Sequence, residues 1–196
     1  MMSNLIVEIV KRMCITLRTW LPLLNSKPAI IFTYRHPLDV ALSLAKRNEF
    51  PLARGLQLWM QYNKAALQNS ADLCRVFSSN NAVLEDPLKE AKRIADELTN
   101  KCNVPPPPKM IDSKVVNSFV DTSLQHGKNQ LKTKNAQNRS VLETHGDCEV
   151  KEYDSVEVPG SPAQEREMDL YLKAMKIYCD FESGEAYKDT YDWPDV

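Results

Sequence analysis

The sequence predicts a mixed α/β fold, a parallel sheet flanked by helices, with a long polar insert and a C-terminal helix. Three observations carry that reading. Ala29 to Tyr34 is a short apolar run rich in β-branched and aromatic residues, set after a turn at Asn25 to Pro28. Such a run suits a strand buried on both faces, as in a parallel sheet. At Pro37 the pattern switches to a helical period, and strand, helix, helix, strand, helix then follow in order, the grammar of parallel strands joined by crossover helices.

Composition narrows the classes. The chain has 196 residues, 43% hydrophobic and 26% charged, which suits an ordinary globular chain of about one domain. A formal net charge of -1 excludes a strongly basic nucleic-acid binder. Five cysteines, Cys14, Cys74, Cys102, Cys148 and Cys179, are odd in number and scattered, which excludes a disulfide-stapled miniprotein. They form no CxxC pair or Cys/His cluster, so no structural zinc or other metal site is expected. Reduced thiols in a cytoplasmic setting are the expectation. The apolar N-terminus is broken by Glu8, Lys11, Arg12 and Arg18, so no membrane span or signal peptide is read there. The sequon Asn138-Arg139-Ser140 carries meaning only in a secreted chain.

The elements follow in order. Met1 to Leu24 reads as a helix or a helix-strand combination. After the strand at Ala29 to Tyr34, Pro37 suits a first helical position and Asp39 places an anion in the first turn. Leu38, Ala41, Leu42 and Ala45 supply the apolar stripe of that helix. Leu52 to Asn69 predicts a second helix, with Leu56, Trp59, Met60, Asn63 and Leu67 on one side. Leu73 to Phe77 predicts the next strand. Asp86-Pro87 opens a third helix with an N-cap and a first-turn proline, its stripe being Leu88, Ala91, Ala95 and Leu98. The four prolines from Pro105 to Pro108 are extended or turned, and Gly127 to Pro159 is polar without a period. Ser161-Pro162-Ala163-Gln164 is a capping-box signature for a last helix, with Leu170, Ala174, Ile177 and Phe181 on its apolar face and Gly184 at its end.

The chemistry concentrates where the first strand ends. Ligands in open α/β sheets bind outside the carboxyl ends of the strands. Arg35 stands there, able to fork two hydrogen bonds onto a phosphate, and Ser43 adds a hydroxyl from the ensuing helix. Taken alone, Arg35 reads better as a sheet-end cap or the partner of a local carboxylate, and Ser43 as a hydroxyl that is solvated or bonded back to the preceding turn. His36 reads as a satisfied residue near the helix start, and Trp59 and Tyr62 as packing residues.

The stretch Tyr34-Arg35-His36-Pro37-Leu38-Asp39-Val40-Ala41-Leu42-Ser43-Leu44 resembles the 3'-phosphate-binding segment of sulfotransferases that use 3'-phosphoadenosine 5'-phosphosulfate (PAPS). Gly55-Leu56-Gln57-Leu58-Trp59 through Tyr62 to Leu67 is similar to a branch common among bacterial-type members. Weaker similarity lies at Lys11-Arg12-Met13 with Trp20-Leu21-Pro22, at Leu84 to Pro87, and at Phe119 to Asp121 with Ser123, Leu124 and His126. Coverage runs from residue 11 to 126 and is dense from 29 to 67. The resemblance implies a P-loop-like sheet, PAPS as sulfuryl donor without a metal, a hydroxyl or amine acceptor, and Arg35 with Ser43 on the donor's 3'-phosphate.

The chain also departs from that family. The resemblance implies a glycine-bearing phosphosulfate loop ahead of the Arg35 strand, yet no glycine precedes Gly55 and no GxxxxGK[ST] occurs, which also disfavours a P-loop kinase. The reading therefore places that loop upstream of Met1, in a truncated or incomplete chain. Neither His126 nor His145 matches a catalytic base, which leaves the catalytic residues unassigned. Phe77 to Asn81 lacks the tyrosine the family places near the adenine, and the glycine-bearing loop downstream of the serine is not recognisable in Gly127 to Pro159. The expected organisation is a partial sulfotransferase-like domain over 1–126, a polar loop or insert over 127–160, and a C-terminal helix and tail over 161–196. The expected function is sulfuryl transfer; the alternative is a non-catalytic nucleotide- or protein-binding module built on the same fold.

Overall fold

The computed structural model describes residues 13–109, 111–119, 148 and 161–195. The fold is mixed α/β and mostly helical, built on a two-stranded parallel sheet. Strand β1, Ile30–Tyr34, pairs with β2, Arg75–Ser79, in a register that sets Phe32 beside Phe77 and Tyr34 beside Ser79. Helices α1 (Met13–Trp20), α2 (Pro37–Asn48), α3 (Leu52–Asn69), α4 (Asn80–Glu85), α5 (Pro87–Cys102), α6 (Ser113–Phe119) and α7 (Pro162–Glu182) complete the described elements, with 3-10 turns at Leu21–Leu23 and Glu185–Tyr187.

Local chemistry sets the helix ends. Pro37 and Pro87 occupy first-turn positions, and Asp86 caps α5 by accepting from the Lys89 amide at 2.9 Å. Ser161 accepts from the Gln164 amide at 3.2 Å and starts α7. Gly184 follows the end of α7 with φ of 82°, a left-handed conformation that glycine adopts without a Cβ penalty.

One face of the sheet packs on α7 and the turn after it. Tyr34 stacks on Phe181 with ring centroids 4.9 Å apart, and Phe77 lies flat on Tyr187 at 3.5 Å. Leu170, Ala174, Ile177 and Phe181 are all buried in that core, on the side their spacing predicts. The opposite face is covered over β2, where Val76 and Ser78 are buried, and open over β1, where Ile31 is 39% exposed. The expectation of a first strand buried on both faces is therefore corrected. Of the two strands, β2 is the one that packs closely on α5, and β1 alternates buried and exposed positions.

Other expectations also shift. The second strand runs two residues later than Leu73 to Phe77, because Leu73 closes a turn on Ser70 (N to O 3.0 Å) before the ladder begins with Ile30 N to Cys74 O. Helices α4 and α6 stand where no helix was expected. The expectation of five reduced thiols is corrected by a disulfide, Cys74–Cys102, which ties the approach to β2 to the end of α5. The expectations for Met1 to Arg12, including Lys11 and Arg12, and for Asp121, His126, Asn138 to Ser140 and His145 lie outside the described residues. So does the polar stretch 127–160 apart from Cys148. Among the described residues no helix is long and apolar enough to cross a membrane.

Candidate functional site

The candidate site forms at the junction of β1 and α2, and α3 positions it. Gly55 of α3 sits directly on α2, where an added Cβ would lie 2.7 Å from the Ala41 Cα. Only glycine permits that approach. Trp59, one turn further along α3, donates its indole N–H to the Arg35 carbonyl at 2.8 Å and is itself buried. The backbone at the end of β1 is thereby fixed from outside the strand. Both contacts come from one short stretch of α3, Gly55 to Trp59.

Arg35 leaves β1 with its side chain 34% exposed. Its Nε lies 3.5 Å from Asp39 Oδ2, a charge contact spanning the strand-helix junction. No hydrogen bond is made there, since the Nε is buried without a hydrogen-bond partner. Ser43 is exposed on the second turn of α2, four residues beyond Asp39 and therefore on the same helical row. Asp39 is the functional neighbour that sequence reasoning missed: it was read as a dipole-stabilising residue only, although its i,i+4 spacing from Arg35 was visible.

His36 is the N-cap of α2 and gives it no side-chain cap. It is buried, its ring set edge-on to Tyr178 at 5.0 Å, and its Nδ1 has no hydrogen-bond partner. The expectation of a satisfied histidine is thus corrected. Burial lowers its pKa, Asp39 opposes that shift and Arg35 adds to it, so the imidazole is neutral near pH 7. Beside it, the Tyr34 hydroxyl lies 3.4 Å from the Tyr187 hydroxyl, and Asn81 donates to the Tyr178 hydroxyl at 3.3 Å. Burial and then the Tyr187 contact hold the Tyr34 phenol well above its ordinary pKa.

Chemically, the junction offers a partly exposed guanidinium, an orphaned Nε and imidazole Nδ1, and the uncapped amino end of a helix whose dipole favours anions. Asp39 is the opposing charge. Among the described residues no group of three or more His, Cys, Asp or Glu is arranged to hold a metal ion. A shallow depression of about 430 Å³ lies elsewhere, lined by α5 side chains such as Lys89, Arg93 and Lys101 and by none of the residues above. No family model, curated protein or solved structure matches this chain.

Proposed function

We propose that this chain binds the ribose 3'-phosphate of an adenosine 3',5'-bisphosphate nucleotide through Arg35 and Ser43, as a P-loop-like domain of the PAPS-dependent sulfotransferase lineage. The observation that carries the reading is the unfilled hydrogen-bonding capacity at the β1–α2 junction. There the Arg35 Nε and His36 Nδ1 are buried without partners beside an uncapped helix start. A phosphate oxygen accepts from such a guanidinium, and the helix dipole adds to the attraction. Ser43 contributes a hydroxyl donor from the same helix.

In this lineage the nucleotide's reaction is transfer of a sulfuryl group from PAPS to a hydroxyl or amine by in-line displacement. Cationic donors neutralise charge on the departing oxygen, and neither a metal nor a covalent intermediate enters. The runner-up is a non-catalytic nucleotide- or protein-binding module. That reading requires no loop to wrap a phosphosulfate in backbone amides. The Cys74–Cys102 disulfide supports an oxidising compartment over a cytoplasmic one.

Calorimetric titration separates these readings. Adenosine 3',5'-bisphosphate is expected to bind more tightly than adenosine 5'-monophosphate, the difference being the 3'-phosphate contact. Equal affinities, or none, reject the clamp. Sulfate release from PAPS onto a phenol or carbohydrate panel then distinguishes the enzyme from the binding module.

A further inference from the structure

We propose that Cys148 and Cys179 form a second disulfide, leaving Cys14 as the free thiol of the oxidised chain. The inference does not depend on the nucleotide site. It rests on two observations. First, Cys179 of α7 donates its thiol to the Cys148 backbone carbonyl at 3.4 Å, bringing together residues 31 apart in sequence. Second, the chain already carries the Cys74–Cys102 disulfide, so the setting in which it folds oxidises thiols.

The chain length permits the closure. From Pro162 to Cys179, α7 advances about 26 Å at 1.5 Å per residue. The roughly 14 residues from Cys148 to Pro162 reach at most about 46–50 Å when extended, more than that length. Cys14 is placed differently. It lies on α1, where its carbonyl accepts from Asn69 of α3 at 2.7 Å, and α1 packs on α3.

The chemistry is thiol–disulfide exchange with a small-molecule disulfide such as oxidised glutathione. The exposed Cys148 meets the oxidant first. Its thiolate attacks one glutathione sulfur, forming a mixed disulfide and expelling one glutathione thiolate. The Cys179 thiolate then attacks the Cys148 sulfur, closing the protein disulfide and expelling the second glutathione. Two protein thiols are oxidised, one glutathione disulfide is reduced, and the two protons pass to the released thiols. Burial pushes the Cys179 thiol up to about 12, and neighbouring Cys148, Asp180 and Glu182 act in the same direction, so little thiolate is present.

The test oxidises the native full chain with glutathione disulfide, blocks remaining thiols, and maps non-reduced peptides by mass spectrometry. The expected result is a peptide pair joined through Cys148 and Cys179, with Cys14 alkylated. In Cys179→Ser the expected result is a glutathione adduct retained at Cys148. A Cys148 that remains fully alkylatable in the parent chain, or a pair joining Cys148 to Cys14, overturns the proposal.

Discussion

The Arg35 guanidinium faces Asp39 across the junction of β1 and α2, Nε to Oδ2 3.5 Å, without a hydrogen bond between them. That relationship sets the energetics of the candidate site. A partly exposed pair of this kind contributes at most about 1 kcal/mol. It is too weak to prevent Arg35 from turning to a phosphate, which offers charge-assisted hydrogen bonds in place of a bare charge contact. On the proposed reading, Asp39 competes with the nucleotide's phosphate for the same cation.

Arg35→Ala is expected to weaken adenosine 3',5'-bisphosphate binding by about 1.5–3 kcal/mol, the scale for hydrogen bonds to charged groups. Isothermal calorimetry at constant salt measures it. Parent-like affinity in the variant rejects Arg35 as the anchor.

Asp39→Asn separates competition from positioning. Removing the carboxylate frees the guanidinium and deletes a repulsion toward the phosphate, so nucleotide affinity is expected to rise. The same change loses a first-turn anion of α2 and costs about 0.3–1 kcal/mol of stability. Calorimetry and urea denaturation read the two effects separately. Affinity that falls as far as in Arg35→Ala instead makes Asp39 the residue that aims the guanidinium.

Legibility in the sequence followed the physical origin of each feature. Helix α3 spans the expected Leu52 to Asn69, because its stripe of Leu56, Trp59, Met60 and Leu67 enters the core. Strand β2 was misplaced because Leu73 is apolar and buried yet belongs to a turn, and hydrophobicity alone does not separate the two. Helix α4 carried a usable signal, Ser79 accepting from the Ala82 amide at 3.1 Å, but Ser79 to Asn81 read as a loop by composition. The Cys74–Cys102 pairing was not legible, since those residues meet only after β2 and α5 have packed. At the site, the Arg35 and Ser43 positions followed from the strand-to-helix switch. The setting of His36 comes instead from Tyr178 of α7, whose ring meets its imidazole from more than 140 positions away.

Gly55→Ala is expected to lower stability. A helix-interior alanine gains about 1 kcal/mol over glycine, but the new Cβ would press on the Ala41 Cα at 2.7 Å and its Cβ at 2.9 Å. Overpacking of this kind costs typically about 1–3 kcal/mol, and backbone on the receiving side leaves no flexible group to yield. Adding Ala41→Gly is expected to rescue only partly, because the shorter contact is to backbone. Thermal unfolding decides the matter: a variant as stable as the parent means α2 and α3 separate freely.

Replacing both Cys74 and Cys102 by Ser opens a loop whose ends are 28 residues apart. The released unfolded-state entropy corresponds to about 2–4 kcal/mol. Guanidinium denaturation of the double variant and of the reduced parent is expected to give the same loss. An unchanged midpoint in both would mean the bond constrains little.

Glu90 provides a pH signature. It is buried, accepts from the Ser78 hydroxyl at 2.7 Å, and is gripped by Arg93, whose Nε lies 2.8 Å from Oε2. The Arg93 bonds lower its pKa against the opposing effect of burial, with Ser78 assisting. A carboxyl depressed in the folded state binds fewer protons there than in the unfolded chain. Its stabilisation is therefore complete above the ordinary value of 4.5 and disappears as pH falls through the lower folded value. Glu90→Gln is expected to cost about 1–3 kcal/mol at pH 7, where the charged bonds are lost, and progressively less in acid. Glu97, which also bonds Arg93 and is likewise lowered, keeps part of the acid slope in the variant. Urea denaturation of parent and variant across the acid range measures the difference. Curves that stay parallel below pH 4.5 would show that folding does not lower the Glu90 pKa.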